Sequence, residues 1–544
     1  MDSNLNKAAT AIALGLSALG LAAPAWAIDH SRPAYEPYQL AGKRMVFTTW
    51  YWVRIGQLDW LNDRGESVYA SFKDKYGPWD AHFTQYDAPR GIRIVAEQPG
   101  RMAPFEIPPR YPWEAGGIHK IRFLYDEDMG KYRVWGSCSD NEGKELFCYL
   151  ESTDCKTWTR PKLAIVEYMG SKDNNLIEEV PDGLFFKDPI APPEERYKAV
   201  WDEDCDLKRW PDYKKRRPFS VFATEMDPGR VHSIRAAVSP DSFRWTTLPD
   251  PISVETSDTA IVAYYDTQLK KYVMYTRNYM IGPRAEGVPR PDGRWHEFVP
   301  RRAIGRSETD NFREFPLSEV IIETGLDMAP TDTFYASCRT TIPKAPDHHL
   351  MFPLIYHQDR DTFSVEFWTS WDGKLWHRVP GSPILNTGIF GQPDGGCIST
   401  SPPLVEMPDG SWILSWTASN YPHKYPRSTW KKAFGWLVWP KGRLVALEAQ
   451  DRGQFTTVLV LAEGEKIKIN AVTERAGSIL VETAGLDGKT IPGRSFADAK
   501  PIIGDQFWTP VTWDQHENLG VRKGEPVMFR FRLDKAKLYG LEFE

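Results

Sequence analysis

A chain of 544 residues exceeds one ordinary core, so two or more domains are expected. Its 41% hydrophobic and 26% charged residues fit a soluble globular protein, and a net charge of −6 leaves no basic footprint for nucleic acid. With 22 Trp, 23 Tyr and 26 Phe the chain is rich in rings, which both strand packing and stacking on sugars use.

Residues 1–27 read as an export signal. Lys7 is followed by the small, apolar stretch 8–23, and Ala25-Trp26-Ala27 is an A-x-A cleavage site. Pro24 breaks the run and polar sequence comes after it, which is not the pattern of a retained anchor, and no other stretch of about 20 residues is apolar enough to span a bilayer. The mature protein is expected to begin near Ile28 in a periplasmic or extracellular space. Residues 28–110 form a Trp- and Pro-rich lead-in, with Trp50, Trp52, Trp60 and Trp79, expected to cover one face of the repeat domain at 111–447 or to supply it with an outer strand.

Between residues 111 and 447 one pattern recurs five times: an apolar run, a short turn and a second apolar run, which is a β-hairpin. Phe123-Leu124-Tyr125-Asp126 to Lys131-Tyr132-Arg133-Val134-Trp135 is one copy, and Ala263-Tyr264-Tyr265-Asp266 to Lys271-Tyr272-Val273-Met274-Tyr275 another. The others run from Leu184 to Val200, from Phe334-Tyr335-Ala336 to Leu350-Met351-Phe352, and from Ile398 to Trp416. A second phrase accompanies most copies: Ser152-Thr153-Asp154 with Trp158, Ser239-Pro240-Asp241 with Trp245, and Ser370-Trp371-Asp372 with Trp376. A degenerate copy, Ser307 to Phe312, lies between the last two. The Asp is suited to cap a tight turn and the Trp to fill the gap against the neighbouring unit. A repeat of roughly 60 to 85 residues occurring five times predicts a five-bladed β-propeller. Beyond it, residues 448–544 show period-2 alternation in Lys466-Ile467-Lys468-Ile469, Ser478 to Glu482 and Val527 to Leu533, which predicts a β-sandwich. The fold class is thus all-β, and the sandwich reads as a buttress on the fifth blade rather than a separate carbohydrate-binding module.

The six cysteines contain no C-x-x-C pair, which excludes a zinc ribbon or a thioredoxin-type site. Cys138 and Cys148 sit on successive apolar stretches, as a bridge across adjacent strands or as buried thiols.

In a propeller the starts of the innermost strands converge at one mouth of the central channel. The residues at those starts are Glu114, Asp182, Asp258, Asp332 and Asp394, all carboxylates. Such a ring serves acid–base chemistry at a glycosidic bond, with crowding that holds one member protonated, or it holds a calcium ion; the bland reading is five separate turn caps. Asp258 is the first choice for nucleophile or base, the acid is open between Asp332 and Asp394, and Glu114 is next in line. Arg277, His357 and His423 recur after the second strands of the last three repeats and His119 lies within the first repeat's inner strand, and all four are candidates to orient substrate. Lys187-Asp188-Pro189 resembles an invertase-type triplet, but the repeats align Asp188 with Asp126 and Asp266 at the turn end, away from the mouth. No motif announces a Ser-His-Asp triad, a phosphate loop or a zinc-protease helix.

Gly170-Ser171-Lys172-Asp173-Asn174-Asn175, Asp188 to Lys198, Arg302-Ala303-Ile304-Gly305-Arg306-Ser307-Glu308 and Phe529 to Tyr539 resemble secreted bacterial proteins of the family-32/43-like glycosyl hydrolases. The resemblance implies kinship with the five-bladed furanosidase-type hydrolases and a carbohydrate partner. The Trp-x-Asn-Asp-Pro-Asn and Glu-Cys motifs of invertases are absent, and Trp60-Leu61-Asn62-Asp63-Arg64-Gly65 only echoes the first. Catalytic residues therefore do not transfer by motif. The expected activity is glycoside hydrolysis; a non-catalytic glycan-binding propeller and a polysaccharide lyase are the alternatives.

Overall fold

The computed structural model describes residues 36–61, 64, 82–102, 108–216, 231–255, 257–259, 261–279, 301–426 and 431–544. The export signal, Trp79, and Asn62, Asp63 and Gly65 of the invertase-like echo lie outside them. The described chain is nearly all β, and its one α-helix is Trp210–Arg216.

Strands Ile118–Asp126, Lys131–Ser139, Glu145–Ser152 and Leu176–Ile177 form the first antiparallel sheet. Leu184–Lys187, Tyr197–Asp204, His232–Ser239 and Thr246–Thr247 form the second, and Val262–Asp266, Lys271–Tyr279, Arg302–Thr309 and Glu319–Ile322 the third. In the fourth unit the strands are interrupted part-way, giving two four-stranded sheets that begin with Asp332–Ala336 and Arg339–Ile342. The fifth sheet is Ile398–Glu406, Trp412–Ser419 and Lys432–Trp439, and its outer strand is Gly100–Met102 from the lead-in. First strands pack in sequence: Ile118–Asp126 on Leu184–Lys187, and that strand on Val262–Asp266. Asp332–Ala336 packs on the third sheet, and Arg339–Ile342 on Ile398–Glu406, which returns to Ile118–Asp126. The ring is closed, so each first strand, paired on one side only, turns its free edge inward.

The sequence phrases have physical counterparts. Asp154 Oδ1 accepts from the amides of Lys156 and Thr157 at 2.8 and 2.7 Å, Asp241 from Phe243 and Arg244, and Asp372 from Lys374 and Leu375. The turns also join neighbours: Arg133 of the first sheet donates to Ser242 Oγ of the second at 2.7 Å, and Tyr275 of the third to the Gly373 carbonyl of the fourth at 2.7 Å. Asp188 lies beyond the first strand of its hairpin, as the repeat alignment requires, and binds Lys198 and the Tyr272 hydroxyl.

The fourth hairpin differs from expectation. Its turn is Pro343–Lys344, with Lys344 at φ 63°, so Phe334 pairs with Ile355 rather than ending before a long loop. The reason is a local interruption: Pro353 supplies no amide, and pairing shifts register beside it.

A seven-stranded sheet is built on the strands Ile467–Ala484 and Pro526–Phe543, 18 residues each, with Val445–Thr456 beside them. Lys466 to Ile469 and Ser478 to Glu482, read from the sequence as separate strands, belong to one strand with a bulge between Thr473 and Ser478. Arg93–Ala96 and Arg44–Met45 join this sheet from the lead-in. Phe47, Phe455 and Phe531 lie at its core, with ring centroids 4.9 to 6.3 Å apart. All six cysteines are thiols; Cys138 and Cys148 are buried neighbours, and hydrogen bonding to Cys138, with burial, raises the Cys148 pKa.

Candidate active site

The first strand of the third sheet is preceded by Ser257-Asp258-Thr259, and its second strand ends in Thr276-Arg277-Asn278-Tyr279. Ser257 Oγ accepts from the Arg277 amide at 3.0 Å, fixing the loop to the strand. Arg277 then reaches Asp258 Oδ1 with Nη1, while Nε and Nη2 donate to the Tyr335 carbonyl at 3.2 and 2.8 Å. Its guanidinium lies 4.1 Å from the Tyr335 ring centroid. The Arg277 side chain is 0% exposed, whereas that of Asp258 is 34% exposed. Arg277, expected among the substrate-binding residues, is thus enclosed and directed at a carboxylate that solvent can reach.

A second carboxyl stands beside this pair. Asp202, near the end of strand Tyr197–Asp204, lines a cavity of about 260 Å³ together with Asp182, Arg122 and Thr259. Asp202 is exposed at its surface; desolvation by the surrounding protein, and then the charge of Asp258, raise its pKa, against His232 and Arg277. At Asp258 burial also favours the neutral form, but Arg277 and Arg302 outweigh it and the pKa is lowered. Two neighbouring carboxyls are thus displaced in opposite directions, as in acid–base pairs.

Two further chains of contacts lie in the fourth unit. His357 Nδ1 meets Asp332 Oδ1 at 2.6 Å and Nε2 meets Ser364 Oγ at 3.0 Å. The three side chains come from adjacent strands, where Asp332 pairs with His357 and Ser364 lies diagonally across. Arg302 stacks over Tyr335 at 5.5 Å and pairs through its amide with Thr333 Oγ1. His423 Nε2 lies 3.0 Å from the Tyr335 hydroxyl. Arg277, which holds Asp258, and His423 thereby meet at Tyr335. Next to His423, Tyr421 and Tyr425 stack with centroids 4.7 Å apart, and Phe390, 61% exposed, stands 5.5 Å from Tyr421.

The expected ring of five carboxylates is not one cluster. Glu114 is wholly buried beneath Arg160, at 2.8 Å, and takes the Arg110 amide, so substrate cannot reach it. Asp182 is exposed and bound to Arg122. Asp394 is tied to Arg101 of the closing strand. His119 is apart, 3.8 Å from Glu145, with its pKa lowered mainly by burial. Among the described residues no three His, Cys, Asp or Glu side chains gather as a metal site, which leaves the calcium expectation without a ligand set.

No family model and no curated protein matches this chain. Solved structures do. A thermostable family-43 glycoside hydrolase is 12% identical over 61% of this chain and 92% of its own, with a TM-score of 0.35. An α-L-arabinofuranosidase from Podospora anserina is 12% identical over 64% and 98%, with 0.36, and an exo-β-1,3-galactanase from Phanerochaete chrysosporium 10% over 81% and 100%, with 0.33. Likeness at this level assigns neither activity nor substrate, so chemistry rests on the site itself.

Asp202 escaped the sequence reading because it lies near the end of a second strand, within Trp201-Asp202-Glu203-Asp204, where an acidic run looks like a solvated edge. Glu203 and Asp204 are paired in the same strand, with Ser233 and His232, and what separates Asp202 from them is that it alone of the three lines the cavity.

Proposed function

We propose that the protein is an exported glycoside hydrolase acting on a polysaccharide or its oligosaccharides at the mouth that holds Asp258 and Asp202. In this reading the closed ring of sheets is a five-bladed β-propeller, and the seven-stranded sheet is a C-terminal β-sandwich that buttresses it. The observation that carries the reading is geometric: Asp258, fixed by the enclosed Arg277 yet open to solvent, adjoins Thr259, which lines one cavity with Asp202. Asp258, held ionised by buried Arg277, serves as nucleophile or base. Asp202 keeps its proton to higher pH and serves as the general acid, in place of Asp332 or Asp394. Phe390, Tyr421 and Tyr425 offer faces for sugar rings, and His357 and His423 orient hydroxyls. Export rests on the residue 1–27 segment, and places the enzyme in the periplasm or outside the cell.

Reducing-sugar release from a panel of plant, algal and microbial glycans tests this, with Asp258→Asn and Asp202→Asn beside the wild type. Each variant is expected to lose about 10²- to 10⁴-fold in kcat/KM, the usual worth of a positioned acid or base. Full activity in both variants would remove the assignment. Binding without release would leave a glycan-binding protein, and an unsaturated, ultraviolet-absorbing product a lyase. The cation named for the lyase reading, Arg277, is enclosed.

A further inference from the structure

At the other end of the ring, hairpin turns of the first, third, fourth and fifth sheets face the seven-stranded sheet across a cavity of about 1210 Å³. Neither Asp258 nor Asp202 lines it. Small-molecule sites usually span roughly 300–1,000 Å³, so this space admits more than one sugar unit. Tyr125, Tyr264 and Tyr265 on the ring side and Trp508 on the other are half-buried walls. Rings of this kind take the apolar faces of sugars while leaving polar edges for hydroxyls.

The telling group is Arg339. It lines the cavity, is only 6% exposed, and its guanidinium sits 3.6 Å from the Tyr264 ring centroid. Its hydrogen bond runs from Nη2 to Nδ1 of His349, at 2.6 Å. That imidazole is neutral: burial first, and then the charges of Arg339 and Arg306, hold its pKa well below the ordinary range. Arg339 Nε has no partner, the Tyr264 hydroxyl has none, and no carboxylate pairs with the guanidinium among the described residues. Of the wall carboxylates, Glu406 holds Arg44 at 2.9 Å and Lys344 at 3.3 Å, Glu542 holds Arg44 at 2.6 Å, Asp266 takes the amides of Gln268 and Leu269 at 3.0 Å, Asp409 takes that of Ser411 at 2.9 Å, and Glu127 stands at an exposed turn. A buried cation without a counter-charge is costly, and a guanidinium fork matches a planar or tetrahedral oxyanion.

We propose that this cavity is a second binding site, for a carbohydrate bearing a carboxylate or a sulfate, with Arg339 anchoring the anion and the tyrosines and Trp508 enclosing the sugar. The site stands whether or not the opposite mouth cleaves glycosidic bonds. Calorimetric titration of the full chain carrying Asp258→Asn tests it, with trigalacturonate and a sulfated galactan tetrasaccharide as the two acidic probes and maltotriose as the neutral one. At least one acidic probe is expected to bind saturably and more weakly as salt is raised, with maltotriose silent. Which acidic probe binds tells carboxylate from sulfate. Adding Arg339→Met is expected to weaken binding at least tenfold, and adding Trp508→Ala on the opposite wall at least threefold. Because Arg339 also holds His349, Trp508→Ala alone decides if the first variant does not fold. Neither acidic probe binding, maltotriose binding as tightly, or unchanged affinity in the folded variants would overturn the proposal.

Discussion

The Asp258–Asp202 pair sets a pH dependence whose sign is fixed by the two displacements. Asp258 must be ionised to act, and its pKa lies below the ordinary value of about 3.9, so the acid limb of kcat/KM falls in strongly acidic solution. Asp202 must be protonated, and its pKa lies above that value, so activity falls as pH rises through it. A bell is expected whose acid limb lies below, and whose alkaline limb lies above, the ordinary carboxyl value, and Asp202→Asn should remove its alkaline limb while leaving the acid one. An alkaline limb that survives in Asp202→Asn would assign the acid to another group. Arg277→Met should raise the acid limb, because Asp258 loses its main cation. The sequence made Asp258 visible through its place before a first strand. It concealed the role of Arg277, because a charge inside Tyr275-Thr276-Arg277 reads the same whether it points at ligand or at a neighbouring carboxylate.

At the level of elements, the Ser-x-Asp-x-x-x-Trp turn is a joint between sheets as much as a turn. Trp376 is 8% exposed, donates to the Gly373 carbonyl at 3.1 Å and meets Tyr275 of the third sheet edge-on at 6.1 Å. Trp376→Ala is expected to cost about 3–5 kcal/mol, read as a shift in the urea midpoint without a change of slope. A midpoint at the wild-type value would show that the ring does not depend on this plug. Turns of this kind were legible because cap, spacing and aromatic all lie within seven residues. The closing strand Gly100–Met102 was not, since its pairing with Trp436 to Val438 joins residues more than 300 apart and leaves no local period. The same holds for the bulge that merges two expected strands into Ile467–Ala484: its register is written in the partner strand, where Thr473 faces Ala536 and Ser478 faces Asp534.

The lead-in decides how the whole molecule unfolds. Arg93–Ala96 and Arg44–Met45 are strands of the seven-stranded sheet, whereas Gly100–Met102 completes the fifth sheet of the ring. Trp52 stacks on His348 of the fourth unit with centroids 4.4 Å apart. Arg44 alone ties three parts together, reaching Glu542 of the seven-stranded sheet at 2.6 Å, Glu406 of the fifth sheet at 2.9 Å and the Pro343 carbonyl of the fourth at 3.1 Å. Neither body can lose its strands from this segment without disturbing the other. A single calorimetric transition, with equal calorimetric and van't Hoff enthalpies, is therefore expected despite the length of the chain. Arg44→Ala leaves Glu406 with Lys344 alone and takes from Glu542 its Arg44 partner, and is expected to lower that one transition. Two resolved peaks, or a second peak that appears only in Arg44→Ala, would separate the outcomes: the first means the bodies fold independently, the second that Arg44 is what couples them.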